Sequence, residues 1–224
     1  MTDQDLIVSQ VSKSYETAHD QLSVLKELSF SMDRGESLAV TGPSGIGKST
    51  LLHILGTLDR PTSGSVKLLG EDPFSLDDAG QARFRRKHIG FIFQDHHLMP
   101  QLSVLENTLL PALAEGRSTA EHISRATNLL EAVGLSDRIS HLPSELSGGE
   151  RERVAVARSM LLRPTLILAD EPTGNLDPEN ARKIGQLLLD LQRQENTLLV
   201  VVTHSAELAS QMGRQLSLTK GQSQ

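Results

Sequence analysis

The chain has 224 residues, contains no cysteine and carries 28 acidic against 22 basic side chains, which gives a net charge of −6. These values exclude a disulfide framework and argue against general nucleic-acid binding, which favours basic surfaces. We expect no secretory signal in the acidic first residues, and no apolar run approaches the roughly 18 residues that a membrane-spanning helix needs.

The first part of the chain predicts strands. Leu28, Phe30 and Met32 alternate with polar residues, a pattern typical of a half-buried antiparallel strand, and a similar pattern begins at Leu6. Tyr15, the only tyrosine, is expected in the loop between these strands. A single loop aromatic more often packs partially against the surface than contacts a ligand.

The stretch 42–50 reads GPSGIGKST and matches the phosphate-loop pattern G-x-x-x-x-G-K-[ST]. Its glycines let backbone N–H groups approach a phosphate chain, Lys48 can reach the β- and γ-phosphates, and the Ser49 hydroxyl can hold Mg²⁺. An apolar strand before the loop and helical spacing after it disfavour the alternative, an accidental glycine-rich turn. The predicted nucleotide-binding loop comprises Gly42, Pro43, Ser44, Gly45, Ile46, Gly47, Lys48, Ser49 and Thr50.

The middle of the chain changes from strands to helices. A short apolar run at 89–93 predicts a buried strand that ends at Gln94, and it follows a basic cluster at 83–88 that is either a solvated helix end or a contact for an acidic partner. Capping-box spacings at 118–121 and 147–150 predict two helices. We interpret 95–157 as a helical subdomain inserted into an α/β core (1–94 and 158–224), all within one domain, 1–224.

The last part predicts parallel strands and helices in alternation. The apolar runs 166–169 and 198–202 are typical of buried parallel strands, and Asp177-Pro178 predicts a helix start between them. Asp170 and Glu171 follow the first run, where open α/β sheets bind ligands. One carboxylate could support Mg²⁺ and the other accept a proton from water, although an acidic strand end without a role is the alternative.

Four motifs together resemble those of the ATP-binding-cassette (ABC) ATPases. They are the phosphate loop, LSGGE at 146–150, ADEPTGNLD at 169–177 and His204 after VVVT, and they cover nearly the whole chain in that family's order. The resemblance implies an α/β phosphate-loop fold with a mainly parallel core sheet, an N-terminal antiparallel β subdomain and an inserted helical subdomain. It also implies ATP and Mg²⁺ as ligands, and a homodimer that sandwiches ATP between one subunit's phosphate loop and its partner's LSGGE segment.

The same resemblance implies a role for each matching residue. Glu171 would be the general base, Lys48 and the loop amides would hold the phosphates, and His204 would contact the γ-phosphate. Gln94 would sense the metal and the γ-phosphate, and Asp170 would support the metal with Ser49. Tyr15 would stack on adenine, Asp177 would contact the opposite subunit, and the amides of Ser147, Gly148 and Gly149 would receive the γ-phosphate from across the dimer.

Some positions depart from the family's commonest pattern. Glu150 and Glu152 stand where glutamine is frequent, Ile46 replaces a frequent serine, and Asn175 replaces another. The Ser147-x-x-Glu150 spacing predicts that the Glu150 carboxylate bonds back to the Ser147 N–H rather than facing phosphate. The adjacent pair His96-His97 has no spaced partner in the sequence, so we assign it no metal site.

GTLDRPTSG at 56–64 together with DEPTGNLD resembles the lipoprotein-release, macrolide-export and cell-division subgroup. That resemblance implies an ATP-driven motor subunit, peripheral at the cytoplasmic face of the inner (plasma) membrane, that works through a separate permease. A regulatory subunit that signals through a membrane partner is one alternative. A soluble ATPase acting on nucleic acid or ribosomes is another, which the single cassette and negative charge disfavour.

Overall fold

The computed structural model describes residues 4–16, 20–114, 116, 118–219 and 222–223. The strands are β1 (Leu6–Glu16), β2 (Gln21–Met32), β3 (Ser37–Thr41), β4 (Ser63–Leu68), β5 (Ile89–Ile92), β6 (Leu166–Asp170), β7 (Leu198–Val202), β8 (Arg214–Thr219) and β9 (Gln222–Ser223). The α-helices are α1 (Lys48–Leu55), α2 (Asp78–His88), α3 (Val104–Leu113), α4 (Ala120–Ala132), α5 (Gly148–Met160), α6 (Pro178–Glu195) and α7 (Ala206–Gln211).

Two sheets organise the described residues. An antiparallel sheet has the order β2-β1-β4, and a second sheet has the order β5-β6-β7-β3-β8-β9. Every pairing in the second sheet is parallel except that of β8 with β9. This arrangement confirms the predicted fold class, a mainly parallel α/β core with an antiparallel sheet formed from the N-terminal part.

The parallel sheet is buried on both faces, which explains the continuous apolar runs of its strands. Leu166, Leu168 and Val200 face the side occupied by α1 and the antiparallel sheet. Ile167, Leu199 and Val201 face the opposite side, with α5, α6 and α7. Such a two-sided core fixes the strand order, and therefore fixes which loops meet at the carboxyl edge of the sheet.

The N-caps of the helices between β5 and β6 agree with the predicted capping boxes, with one change. Ser147 caps α5 through the predicted capping box with Glu150. The box predicted at 118–121 is shifted by one residue, because Thr119 is the N-cap of α4 and pairs with His122. The α5 helix continues past residue 157 to Met160. The division of the chain into core and inserted subdomain stays a prediction.

Two elements differ from the sequence-based expectations. Tyr15 lies within β1 rather than in a loop, because β1 and β2 pair as far as Glu16 and Gln21. The basic cluster belongs to α2, in which the Phe84 side chain and Gly80 are buried. The guanidinium of Arg85 donates to the backbone oxygen and the hydroxyl of Thr57, at 2.9 and 3.0 Å. Part of that cluster is therefore structural.

Candidate nucleotide site

A polar cleft of about 470 Å³ opens at the carboxyl edge of the parallel sheet. It forms where the loops after β3, β5, β6 and β7 meet, which is the usual place for a ligand in such sheets. It is lined by Ser44, Gly45, Lys48, Ser49, Gln94, Asp170, Glu171, Gly174, Val202 and His204. Residues up to 160 positions apart in the sequence are thereby brought to one site.

The loop that precedes α1 has a backbone that requires glycine at two points. Gly42 has φ 144° and Gly47 has φ 107°, conformations that other residues rarely adopt. A Cβ added at Gly42 would lie 2.6 Å from the backbone oxygen of Leu218, and one added at Gly47 would lie 2.7 Å from Cγ1 of Val24. Both glycines thus let the loop fold back tightly over the sheet edge and direct α1 at the cleft.

Lys48, the first residue of α1, is buried and holds the loop in shape. Its Nζ donates to the backbone oxygens of Gly42 and Pro43 at 3.0 and 3.1 Å. It also lies 3.2 Å from Nε2 of His204. A single ammonium group therefore sits at the centre of the cleft, where a negatively charged ligand would meet it.

Ser49 and Asp170 place two side-chain oxygens next to each other in the cleft. The Ser49 hydroxyl donates to Oδ1 of Asp170 over 3.4 Å. No cluster of three or more His, Cys, Asp or Glu side chains suited to a metal occurs in the described part of the chain. One hydroxyl beside one carboxylate nevertheless fits Mg²⁺, which uses few protein oxygens and completes its shell with water and phosphate.

Glu171 is held in an unusual position beside these donors. Its backbone φ of 47° is left-handed, and its N–H donates to the Val202 oxygen at 2.9 Å. Its Oε2 accepts the His204 backbone N–H at 3.1 Å, and its Oε1 lies 3.4 Å from His204 Nε2. The same Nε2 lies 3.2 Å from Lys48 Nζ, so the tautomer of His204 decides whether it accepts from the lysine or donates to the carboxylate.

Gln94 reaches the cleft from the end of β5. Its backbone oxygen accepts the Nδ2 of Asn175 at 3.2 Å, which ties it to the segment after Glu171. The Phe93 ring beside it stacks on Phe91 with centroids 5.2 Å apart. Gln94 therefore stands between the polar cleft and an apolar surface.

Tyr15 does not line the cleft but is held close to the loop. Its hydroxyl donates to Oδ2 of Asp59 at 2.7 Å, and Lys13 Nζ lies 4.7 Å from the centre of its ring. Lys13 also donates to Oδ1 of Asp59 at 2.6 Å. Desolvation and the Asp59 hydrogen bond raise the pKa of the Tyr15 phenol, while a Thr50 hydrogen bond lowers it.

The N-terminus of α5 lies apart from the cleft of the same chain. Ser147 accepts the Glu150 N–H at 3.3 Å, and Glu150 Oε2 accepts the Ser147 N–H at 2.8 Å. Arg138 holds the other carboxylate oxygen of Glu150 at 3.2 Å. These contacts confirm that Glu150 caps the helix. None of Ser147, Gly148 and Gly149 lines the cleft.

A family model described as ABC transporter matches residues 25–174, about two thirds of the chain. The chain belongs to the ABC transporter ATP-binding family. It is therefore an ATPase, and the family resemblance read from the four motifs is confirmed.

Curated relatives extend the similarity over nearly the whole chain. A "lipoprotein-releasing system ATP-binding protein LolD 1" of Rhodopirellula baltica is 58% identical, with 96% of this chain and 94% of that protein covered. A "lipoprotein-releasing system ATP-binding protein LolD" of Geobacter metallireducens is 49% identical, with 96% of both covered. A solved dimeric ATP-binding cassette bound to ADP and Pi is 37% identical with a TM-score of 0.88, over 98% of this chain and 96% of that one.

The structure of this ABC ATPase brings together part of the predicted site. Ser44, Gly45, Lys48, Ser49, Gln94, Asp170, Glu171 and His204 line one cleft. Tyr15, Asp177 and the α5 N-terminus lie outside it, and Asp177 caps α6 by accepting the N–H groups of Glu179 and Asn180. The individual roles of all these residues stay predictions.

Sequence reasoning missed several contacts of the site. Nothing in the sequence marked Asp59 as the partner of Tyr15, or Asn175 as the partner of the Gln94 backbone. His96 pairs through Nδ1 with Glu152 Oε2 at 2.7 Å, although no partner was expected. The departure from the family pattern at Glu152 was the only signal that could have indicated this pair.

Glu150→Gln should flatten the pH dependence of stability in acid. The backbone and hydroxyl of Ser147, then Arg138, lower the pKa of Glu150 below its usual value of about 4.3. A lowered folded pKa stabilises the fold above the unfolded value, and this contribution is lost as the pH falls through the folded value. Thermal unfolding measured from neutral pH to about pH 3 checks this expectation.

The same variant should keep ATPase activity within about five-fold, since a charge in a helix's first turn is worth about 0.3–1 kcal/mol. Glu131→Gln, an exposed position on α4, is the control. A steep pH dependence retained in Glu150→Gln, or a large loss of its activity, would contradict the capping role.

Proposed function

We propose that this chain is the ATP-hydrolysing subunit of a lipoprotein-releasing membrane complex. The observation that carries the proposal is the convergence of Lys48, Ser49, Asp170, Glu171 and His204 on one polar cleft. The relatives at 58% and 49% identity named as lipoprotein-releasing ATP-binding proteins support the choice of process.

The phosphate chain of ATP binds over the loop before α1. The amides of 42–50 and the α1 N-terminus attract the anion, and Lys48 exchanges its bonds to loop carbonyls for bonds to phosphate oxygens. Ser49, Asp170 and Gln94 are the residues that would hold Mg²⁺, which when bound neutralises charge on the phosphates. Tyr15 offers the ring face away from Lys13 to the base.

Glu171 accepts the proton of the attacking water. Its carboxylate is largely enclosed, and the His204 N–H and imidazole fix its orientation. Its Oε1 lies 3.4 Å from His204 Nε2 and makes no hydrogen bond within the described residues, so we assign this oxygen as the acceptor for the proton of water. A positioned carboxylate of this kind typically contributes 10²–10⁴-fold to a rate.

A second copy of the chain completes the site. The α5 N-terminus presents helix amides without bulky side chains, yet it lies outside its own cleft. A Cβ at Gly149 would lie 3.6 Å from Asn180 of α6, so the α5 N-terminus and the segment after Asp177 form one surface. In a head-to-tail homodimer this surface faces the ATP bound to the partner subunit. The amides of Ser147, Gly148 and Gly149 then receive the γ-phosphate of that ATP.

The membrane partner is a permease on a separate chain. None of the described helices combines the length and apolarity that crossing a bilayer demands. A mostly apolar groove of about 340 Å³ is lined by Phe91, Phe93, Met99, Pro111 and Leu162, and Arg86, His97 and Arg158 also line it. This β5 groove adjoins Gln94, so a permease segment seated there would move with the nucleotide site. The subunit is thereby held at the cytoplasmic face of the inner membrane.

The test is release of a lipoprotein from liposomes that contain the permease and this subunit. ATP should drive the lipoprotein into the soluble fraction, and Glu171→Gln should abolish the release. Hydrolysis without release would favour the regulatory alternative, and absence of ATP hydrolysis would reject the motor.

Met99→Glu should weaken retention of the subunit on the permease. Met99 is 48% exposed, so a glutamate fits without a packing defect but replaces an apolar contact surface of the β5 groove with a carboxylate. Co-purification from detergent-solubilised membranes measures the effect. Leu22→Glu is the control, because Leu22 is 59% exposed and lies on β2, away from that groove. Equal retention of both variants would place the permease elsewhere.

Tyr15→Ala should weaken ATP binding roughly five- to hundred-fold, because a base stacked on an aromatic ring is worth about 1–3 kcal/mol. Tyr15→Phe keeps the ring and should change the affinity much less. Nucleotide titration of the purified subunit distinguishes the two. If inorganic triphosphate binds Tyr15→Ala as it binds the wild type, the loss is confined to the base, whereas unchanged ATP affinity would contradict stacking.

A further inference from the structure

The segment after Gln94 adopts a backbone that its sequence does not favour. His96 and His97 have φ values of 58° and 47°, so two consecutive non-glycine residues are left-handed. Such a conformation costs roughly 1–2 kcal/mol per residue and persists only where the surroundings determine it. Something must therefore hold this turn in place.

The α5 helix supplies the contacts. His96 Nδ1 lies 2.7 Å from Glu152 Oε2. Arg158 donates from Nη1 to the His97 backbone oxygen at 2.8 Å and from Nη2 to that of His96. The turn is thus fastened at three points to the helix that begins with the LSGGE segment.

Glu152 is an unusual residue for this position. Its side chain is 2% exposed, against 12% for His96. Burial raises the pKa of Glu152, and the hydrogen bond and charge of His96, then the charge of Arg158, act in the opposite direction. Its Oε1 has no hydrogen-bond partner within the described part of the chain. Buried ion pairs seldom add net stability relative to neutral groups, so stability alone does not explain this one.

The turn also contacts the nucleotide site at its other end. Gln94 lines the cleft and accepts the Asn175 amide through its backbone oxygen. Two residues later, His96 contacts Glu152, which lies one helical turn beyond Gly148. A displacement of Gln94 therefore reaches α5 through one turn, which contacts Glu152 near the start of the helix and Arg158 near its end.

We propose that the His96–Glu152 pair is a positioning device that makes the α5 N-terminus follow Gln94, and so controls closure of the ATP-bound dimer. This inference rests on the proposed nucleotide site. Neither His96 nor Glu152 lines the cleft. The pair acts through the orientation of Ser147, Gly148 and Gly149. A short contact between two largely buried side chains suits this task, because the surrounding packing leaves neither side chain free to move without the other.

The test is a double-mutant cycle with Glu152→Gln and His96→Asn. Glutamine keeps the size of the buried side chain, and asparagine tolerates the left-handed backbone of residue 96. Each variant, and the pair, is combined with Glu171→Gln to prevent turnover. We measure ATP affinity of the monomer, the ATP concentration for half-maximal dimer formation, and the midpoint of thermal unfolding. Asp190→Asn, which removes an exposed ion pair with Arg193, is the matched control.

Each single variant should raise the half-maximal ATP concentration for dimer formation about three- to hundred-fold, and the double variant should add little, as for residues in contact. Monomer affinity for ATP and the unfolding midpoint should stay close to those of the parent. Additive effects, unchanged dimer formation, or a loss that follows the unfolding midpoint would overturn the positioning role. A parent that neither binds ATP nor dimerises would instead reject the proposed function, and this inference with it.

Discussion

Glu171→Gln is expected to bind ATP as the wild type does and to hydrolyse it 10²–10⁴-fold more slowly. The substitution keeps the size of the side chain and its contact with the His204 N–H, an acceptor bond that an amide oxygen also makes. It removes only the ability to take a proton from water. Because both nucleotides then persist, the variant should accumulate as an ATP-bound dimer.

The measurement pairs steady-state ATPase rates, with the permease present, with nucleotide titration and size-exclusion chromatography. Glu179→Gln, an exposed change in the first turn of α6, controls for the loss of one carboxylate near the site. A normal ATPase rate of Glu171→Gln would contradict the assignment of Glu171 as the general base. A parallel loss of ATP affinity would instead indicate that the Glu171 carboxylate also shapes the nucleotide cleft.

The fold could be predicted where the sequence pattern reports burial directly. The runs 166–169 and 198–202 are apolar without interruption because β6 and β7 are covered on both faces. The α2 helix gave no such signal, since only Phe84 and Gly80 are buried along its 11 residues. Tyr15 was misplaced because the far end of β1 is polar and exposed, so pairing with β2 rather than burial determines its structure.

The candidate site was predictable to the extent that its chemistry is local. The phosphate loop is one continuous stretch of sequence, and the Asp170-Glu171 pair is another. In each, the chemistry of phosphate or metal binding explains the residue types. Contacts such as Tyr15 with Asp59, or His96 with Glu152, join residues 44 and 56 positions apart through side chains. Spacing along the sequence contains no information on such pairs, so only the three-dimensional arrangement reveals them.

Lys48→Ala is expected to weaken ATP binding roughly ten- to hundred-fold, because hydrogen bonds to charged groups are worth about 1.5–3 kcal/mol. In the structure the ammonium group bonds to the backbone oxygens of Gly42 and Pro43. Pro43 is exposed and Gly42 is half-buried, so we expect water to replace the ammonium group at these carbonyls in the variant. The loss should therefore reflect the missing phosphate contact rather than collapse of the loop.

A comparison of nucleotides separates these two causes. Lys48 is assigned to the β- and γ-phosphates, so affinity should fall for ATP and ADP but stay unchanged for AMP, whose single phosphate the loop amides hold. A loop that has lost its shape would weaken all three nucleotides equally. Lys67→Ala, which removes an exposed lysine of β4, controls for the change in net charge. Unchanged ATP affinity in Lys48→Ala would mean that the ammonium group at the centre of the cleft serves the loop and not the nucleotide.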